Sequence, residues 1–450
     1  MLIVIVPVCT LIMLILFKKI PVIKGNVVYA LVSSALLALL LGKVMNPLAW
    51  MKAWLDGLDR LSWVMFLAVF GSIYASTQTR LKTLDLVIDI LRALFGKSSK
   101  SLICVVILAL SIAGSLLGDA VASATVIGML VVGILQEIGL SGEEIAATVT
   151  MGSLLGSIMP PITQAVFLSA SLAGASIGEV TRITYVTIAI AMVLSMVYCS
   201  LKFVRIKKLP EHLIPKQRPC EIIQGKGYRL VPLSCLVGMV ILFAGFDVDI
   251  SVNLLNPVIK FIGEIPVIKG MTNSIVMFLI FATVIAFLFP HVRKNGASVI
   301  KEGFTNAMPG LKIQMGAAFL LGAFYMGGQI ELVKEFAIGL NENMMKIGGA
   351  LSEVLIGCLT GSQSTAQNTI FSFFSQALIE TGTNPVYAAV SSAHLASGAQ
   401  ALPPTSMTVL VVAGLISGIL GKEINPVKCM ILCLPLSLYL IFIGVLFLYV

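Results

Sequence analysis

Two apolar stretches of this chain are interrupted in the same way, 243 residues apart. The first reads Gly114-Ser115-Leu116-Leu117-Gly118-Asp119 and meets Pro160-Pro161 further on. The second reads Gly357-Cys358-Leu359-Thr360-Gly361-Ser362 and meets Pro403-Pro404. Aligned without gaps, 114–178 and 357–421 share 14 of 65 residues, so the period is half a chain. A solenoid would show a period of about 20–50. Irregular backbone at bilayer depth survives only inside protein or beside a water-filled cavity, because lipid satisfies no N–H or C=O group. Breaks at matching places in two halves mark a transporter's binding site.

Composition puts these stretches in a bilayer. The chain is 58% hydrophobic and 11% charged, against about 25% charged in a soluble domain. Many uncharged runs reach the ~17–25 residues of a span. The expectation is an all-α polytopic membrane protein. Spans are read near 1–17, 25–42, 61–77, 183–201, 230–246, 271–289, 306–328 and 426–449, with amphipathic surface helices at 79–96 and 330–346. The interrupted stretches 101–138 and 349–381 read as re-entrant hairpins, and 143–178 and 385–420 as broken transmembrane helices. The organisation is then 1–100, first scaffold spans and arm; 101–181, first half of a transport domain; 182–229, a span and basic loop; 230–348, second scaffold spans and arm; 349–421, second half of the transport domain; and 422–450, a last span. Lys18 and Lys19 follow the first apolar run rather than precede it, so that run reads as a retained span and not a secretory signal.

The net charge of +9 is distributed as a membrane protein distributes it. With the N-terminus outside and each hairpin entering and leaving on one side, 21 of 30 Lys and Arg fall inside and eight outside. Lys312 falls within a span and is expected to snorkel to the cytoplasmic surface. Two full crossings at 101–138 would leave the later sides unchanged. The first interrupted stretch starts inside and the second outside: an inverted repeat in the cell (inner) membrane, with both termini outside. The partner of the basic residues is the lipid bilayer, not nucleic acid. Eight scattered cysteines without a CxxC pair give neither a disulfide framework nor a metal site.

The breaks carry the candidate chemistry. Glycine pairs permit a reversal, and a reversal frees carbonyls and N–H groups at one place. Carbonyls and hydroxyls suit a hard cation such as Na⁺, and half-helix N-termini suit a carboxylate. Gly114, Ser115, Gly118, Asp119, Ser123, Gly156, Ser157 and Pro160 are read as a first ion site, and Thr360, Gly361, Ser362, Gly398 and Pro403 as a second. Thr125, Thr163, Gln164, Ser364, Thr365, Asn368, Gln400, Thr405 and Ser406 are candidate substrate contacts. Asp119 and His394 are the candidate proton carriers if the coupling ion is H⁺. Each has a plainer reading: Asp119 as the cap of the helix that begins at Ala120, the polar tip at 360–369 as glue between helices, each Pro-Pro as a kink, and His394 as a satisfied structural group. Arginine is absent from both broken segments, so anion binding rests on helix N-termini and hydroxyls, or on a clamp elsewhere. HExxH and Walker A motifs are absent, and the chain reads as a non-enzyme. A channel would need rings of like groups along one path, which two inverted breaks do not supply.

The stretches GSLLGDAVASATVIG, SGEEIAATVTMGSLLGSIMPPITQAVFLSASLAG and NPVYAAVSSAHLASGAQALPPTSMTVLVVAGLISG resemble the large membrane subunit of tripartite ATP-independent periplasmic (TRAP) transporters. That family belongs to a wider ion transporter superfamily containing gluconate and dicarboxylate permeases. The resemblance implies an elevator mechanism, in which a transport domain of hairpins and broken helices moves against two scaffolds, with the amphipathic stretches as linking arms. It implies Na⁺ at the two hairpin tips and a small organic anion between them. It also implies two partners, a periplasmic substrate-binding protein and a small four-helix membrane subunit. The expected function is import of a small organic carboxylate coupled to Na⁺. The alternative is a standalone H⁺- or Na⁺-coupled organic acid symporter that needs no binding protein. Leu116-Leu117 and Asp119 at the first tip, and the Gln and Asn content of the second, depart from the family's usual small residues.

Overall fold

The structure, a computed structural model, describes residues 2–16, 26–95, 98–206, 209, 218–246, 248–332, 342–403 and 406–450. Helices begin where the sequence supplies caps. Asn46, Asn384 and Asn425 each accept a backbone N–H and each is followed by proline at the first helical position. Ser98 with Ser101, and Ser141 with Glu144, close capping boxes.

In chain order the first half comprises α1 (Leu2–Leu16), α2 (Val27–Leu41), α3 (Pro47–Leu81), α4 (Thr83–Phe95), α5 (Ser99–Leu117), α6 (Ala120–Glu137), α7 (Gly142–Ile158), α8 (Gln164–Ala173) and α9 (Ile177–Lys202). The second half comprises α10 (Val231–Phe246), α11 (Ile250–Gly263), α12 (Ser274–Phe287), α13 (Gly296–Met326) and α14 (Glu342–Thr360). It continues with α15 (Gln363–Ala366), which passes through a π-turn (Gln367–Phe371) into α16 (Ser372–Glu380), then α17 (Pro385–Ala399), α18 (Met407–Leu420) and α19 (Pro426–Leu448).

Two long helices, α3 and α13, form one wall. They pack along each other, and each is bent near its middle, by 44° and 47°. Their backbones touch: a Cβ at Gly57 would strike the Ala318 carbonyl, and one at Gly322 the Ala53 carbonyl. The remaining bundle interlocks the two halves, with α8 packed on α17 and α18 on α6 and α7. Among the described residues α5, α9 and α19 are each long and apolar enough to cross a bilayer, and α3 and α13 bring the number to five if each bent helix is one span. Val186, Ile190, Val193, Val197 and Leu201 run along one face of α9 with their side chains exposed, as a lipid-facing stripe does.

Several extents differ from expectation. The span near 61–77 is the inner part of a helix that starts at Pro47. Asp56, Asp59 and Arg60 interrupt its apolar run without interrupting the helix. They face an open polar cavity of about 880 Å³, where Lys269 pairs with Asp59 at 2.6 Å. The span near 306–328 likewise begins ten residues earlier, at Gly296. α11 was not anticipated; Asp249 starts it by accepting the N–H groups of Ser251 and Val252. Lys312 lines an apolar groove with Trp50 and Trp54. The expected arm at 330–346 falls largely on 333–341, outside the described residues, and 342–346 open α14.

Candidate functional site

The two duplicated glycines make the same turn. Gly118 has φ +68° and Gly361 φ +64°, a left-handed conformation that only glycine adopts without strain, and each donates its N–H to the carbonyl four residues back at 2.8 Å. The next residue then caps a second helix. Asp119 Oδ1 accepts the Ala122 N–H at 2.6 Å, and Ser362 Oγ accepts the Thr365 N–H at 3.3 Å. The pattern recurs at the helix breaks, where Thr163 caps α8 and Ser406, 243 residues later, caps α18. α5 packs back on α6, and α14 on the 363–380 arm, so both interrupted stretches are helical hairpins.

The tips meet. A cavity of about 420 Å³ is lined by Gly118, Asp119, Ala120 and Val121 of the first tip and by residues 359–365 of the second. Ser157, Gln164 and Gln400 join them from the broken helices, as do Met407, Thr408 and Leu410 of α18 and Ile313 of α13. The first turns of α6, α8, α15 and α18 therefore all border one space. Each helix start leaves N–H groups without an intrahelical acceptor and carries a partial positive charge. Among the described residues no Lys, Arg or His lines the cavity, and Asp119 is the sole formal charge there.

Hydrogen bonds fix the tips to the broken helices. Gln363 Oε1 accepts from Gln400 Nε2 at 2.9 Å and from Ser397 Oγ at 3.1 Å. Ile162 donates its N–H to the Ser115 carbonyl at 3.0 Å. Gln367 Nε2 donates to the Ala165 carbonyl at 2.8 Å, joining the second tip's arm to the first half. The π-turn at Gln367–Phe371 lies in this arm, and such turns recur at functional sites. Gln367 Oε1 and Asn368 Oδ1 within it are buried and accept no hydrogen bond from the described residues, which leaves oxygen donors for a hard cation.

Of the residues singled out in the sequence, Gly118, Asp119, Ser157, Gln164, Thr360, Gly361, Ser362, Ser364, Thr365 and Gln400 border the cavity. Gly114 and Gly156 lie behind it, their backbones in contact. Gly398 abuts the Ser437 carbonyl, and the Pro403 carbonyl accepts from Cys358 Sγ. Ser115, Ser123 and Thr125 return their hydroxyls to carbonyls of their own helices. Thr163 and Ser406 act as caps. Pro160 stands at a cis bond to Pro161 in the first break, and Thr405 is outside the described residues. His394 does not line the cavity: its Nδ1–H donates to the Val390 carbonyl at 2.7 Å, and Nε2 lies 2.8 Å from Thr187 Oγ1. Ile313 borders the cavity without having been anticipated, and Gln363 was read only as part of the polar tip at 360–369, with no role of its own. A glutamine within a run of polar tip residues offered no signal of its own, and Ile313 is brought in by tertiary packing alone.

The sequence profile described as "Tripartite ATP-independent periplasmic transporter, DctM component" matches residues 7–254. No curated protein matches the sequence. Among solved structures, the fold is similar to that of MtrF of Neisseria gonorrhoeae, described among antimetabolite efflux pumps. The TM-score is 0.63 at 14% identity, covering 98% of this chain and 94% of that one. It is also similar to the Alcanivorax borkumensis YdaH transporter, with a TM-score of 0.59 at 14% identity, covering 89% and 86%.

Proposed function

The chain belongs to the DctM family of tripartite ATP-independent periplasmic transporters, and from that premise we propose that it is a secondary active transporter importing a small organic carboxylate coupled to Na⁺. The observation that carries the proposal is the convergence of four helix starts on one cavity with no basic side chain among its described lining residues. An anion there is met by backbone N–H groups and by hydroxyl and amide donors, as at other helix N-termini. Gln164, Ser364, Thr365, Gln400 and Thr408 are the proposed substrate contacts. Na⁺ takes the oxygen-rich tips: carbonyls near Gly118 with Ser157 on one side, and Thr360 to Ser362 with Asn368 on the other. Asp119 has one carboxylate oxygen beyond its capping bond to offer a cation.

The two halves act as inverted repeats with both chain ends outside the inner membrane, a reading the charge distribution supports. The hairpins and broken helices move as one body against α3 and α13, an elevator, with a periplasmic binding protein and a small four-helix subunit as partners. The test is uptake of labelled carboxylates into proteoliposomes, with the binding protein present and a Na⁺ gradient imposed or collapsed. Uptake is expected to require the gradient. Uptake that follows a pH gradient, ignoring Na⁺ and the binding protein, would favour a standalone symporter instead.

A further inference from the structure

One buried carboxyl group stands outside the cavity and outside every role assigned above. Glu353 lies on α14, seven residues before Thr360, and so about 10 Å along the helix from the second tip. It is 2% exposed. Its partner is Ser392 on α17, whose hydroxyl donates to Oε1 at 2.6 Å, and among the described residues no cation pairs with it.

The titratable groups on the neighbouring elements are engaged elsewhere or distant. On α14 itself, Lys346 sits over the Tyr449 ring at 5.3 Å, and Cys358 donates to the Pro403 carbonyl. On α17, Tyr387 faces Phe447, and His394 is held by Thr187 and Val390. On α19, Lys428 pairs with Glu143, Cys429 donates to the Asn425 carbonyl, Cys433 to that of Ala147 and Tyr439 to that of Thr187. Glu380 ends α16, and Cys9 of α1 is exposed.

The other half shows that the fold needs no carboxyl here. At the 243-residue offset Glu353 corresponds to Leu110 and Ser392 to Val149, both buried in α5 and α7. Hydrocarbon fills the place in one half, and an acid with a hydroxyl partner fills it in the other. An uncompensated carboxylate is far costlier to bury than a neutral carboxyl, and ionisable groups kept inside a membrane domain serve function.

From this geometry we infer that Glu353 is a proton-binding site of the second hairpin. Its carboxylate takes up H⁺ on one side, an O–H bond forms, and the neutral acid crosses with the moving domain. The bond breaks on the other side and the proton leaves. Solute movement thus carries one proton besides the cation at the tips. The inference rests on the transport reading above.

Two measurements on the full-length protein separate the two ideas. Infrared difference spectra between acid and alkaline buffer are expected to show a protonated-carboxyl band that Glu353→Gln lacks. In proteoliposomes at fixed Na⁺, wild-type uptake is expected to fall about tenfold per pH unit above the group's midpoint. Glu353→Gln is expected to vary less than about twofold over the same range. Should that variant fold poorly, Glu353→Leu with Ser392→Val, which copies the pair in the first half, is expected to fold and to be equally flat with pH. Loss of the band without uptake of any solute would remove the transport reading and leave the proton site standing. A band that persists in Glu353→Gln, or a pH profile unchanged in both variants, would overturn the proton site.

Discussion

Asp119 and Ser362 occupy matching positions and do the same backbone work, yet only one carries charge. Each accepts the N–H three residues on and so starts the outgoing arm of its hairpin. The capping role and the charge can be separated by substitution. Asp119→Asn keeps a capping oxygen, whereas Asp119→Ala removes it at a cost of about 1 kcal/mol. In thermal unfolding in detergent, Asn is expected to match wild type and Ala to fall below it. If the carboxylate also contacts the coupling cation, Asp119→Asn raises the Na⁺ concentration needed for half-maximal uptake although stability is kept. An unchanged Na⁺ requirement would reduce Asp119 to a cap. His394 is held at both ring nitrogens, by Thr187 and Val390.

At the level of elements, the hairpins and breaks were legible because their residues have unambiguous backbone consequences. Gly118 and Gly361 announce left-handed turns, and proline after an apolar run announces a break. The reach of α3 was not legible, since periodic apolarity marks what faces lipid or core, and Asp56, Asp59 and Arg60 face neither. Gly114 was legible as special, and the structure shows a packing reason for it. Its bare Cα lies against that of Gly156, so α5 and α7 meet backbone to backbone, and a Cβ at Gly114 would sit 2.7 Å from the Gly156 Cα. Gly114→Ala is therefore expected to cost about 1–3 kcal/mol through overpacking. Gly133→Ala on α6, where a Cβ meets nothing within 4 Å, is expected to be neutral or stabilising through helix propensity. Chemical unfolding of both variants checks the contrast. Equal effects would mean that the helix contact is loose.

Across the whole molecule, no single stretch of sequence holds the site. Gln400 reaches Gln363 across 37 residues, and Gln367 reaches Ala165 across 202, so the cavity exists only once the two halves interlock. That interlocking packs the hairpins and broken helices together, and two specific contacts join them to α3. The Trp63 indole N–H donates to Ser171 Oγ of α8 at 2.7 Å, and a Cβ at Gly71 would lie 3.4 Å from Ile162 in the first break. If transport slides this body along α3, both contacts must part in every cycle. The 3.4 Å runs to Ile162 Cγ2, one bond from its Cβ, so cysteines at positions 71 and 162 bring their Cβ atoms within about 5 Å, against about 3.5–4.5 Å in a disulfide. In a background cleared of the eight native cysteines, the oxidised Gly71→Cys/Ile162→Cys protein is expected to lose at least about nine-tenths of its uptake, a barrier change of 1.4 kcal/mol or more. Reduction is expected to restore uptake, and either single variant should transport under oxidising conditions. Full uptake by the cross-linked protein would show that α3 and the first break travel together, and the moving boundary would then have to be drawn elsewhere in the fold.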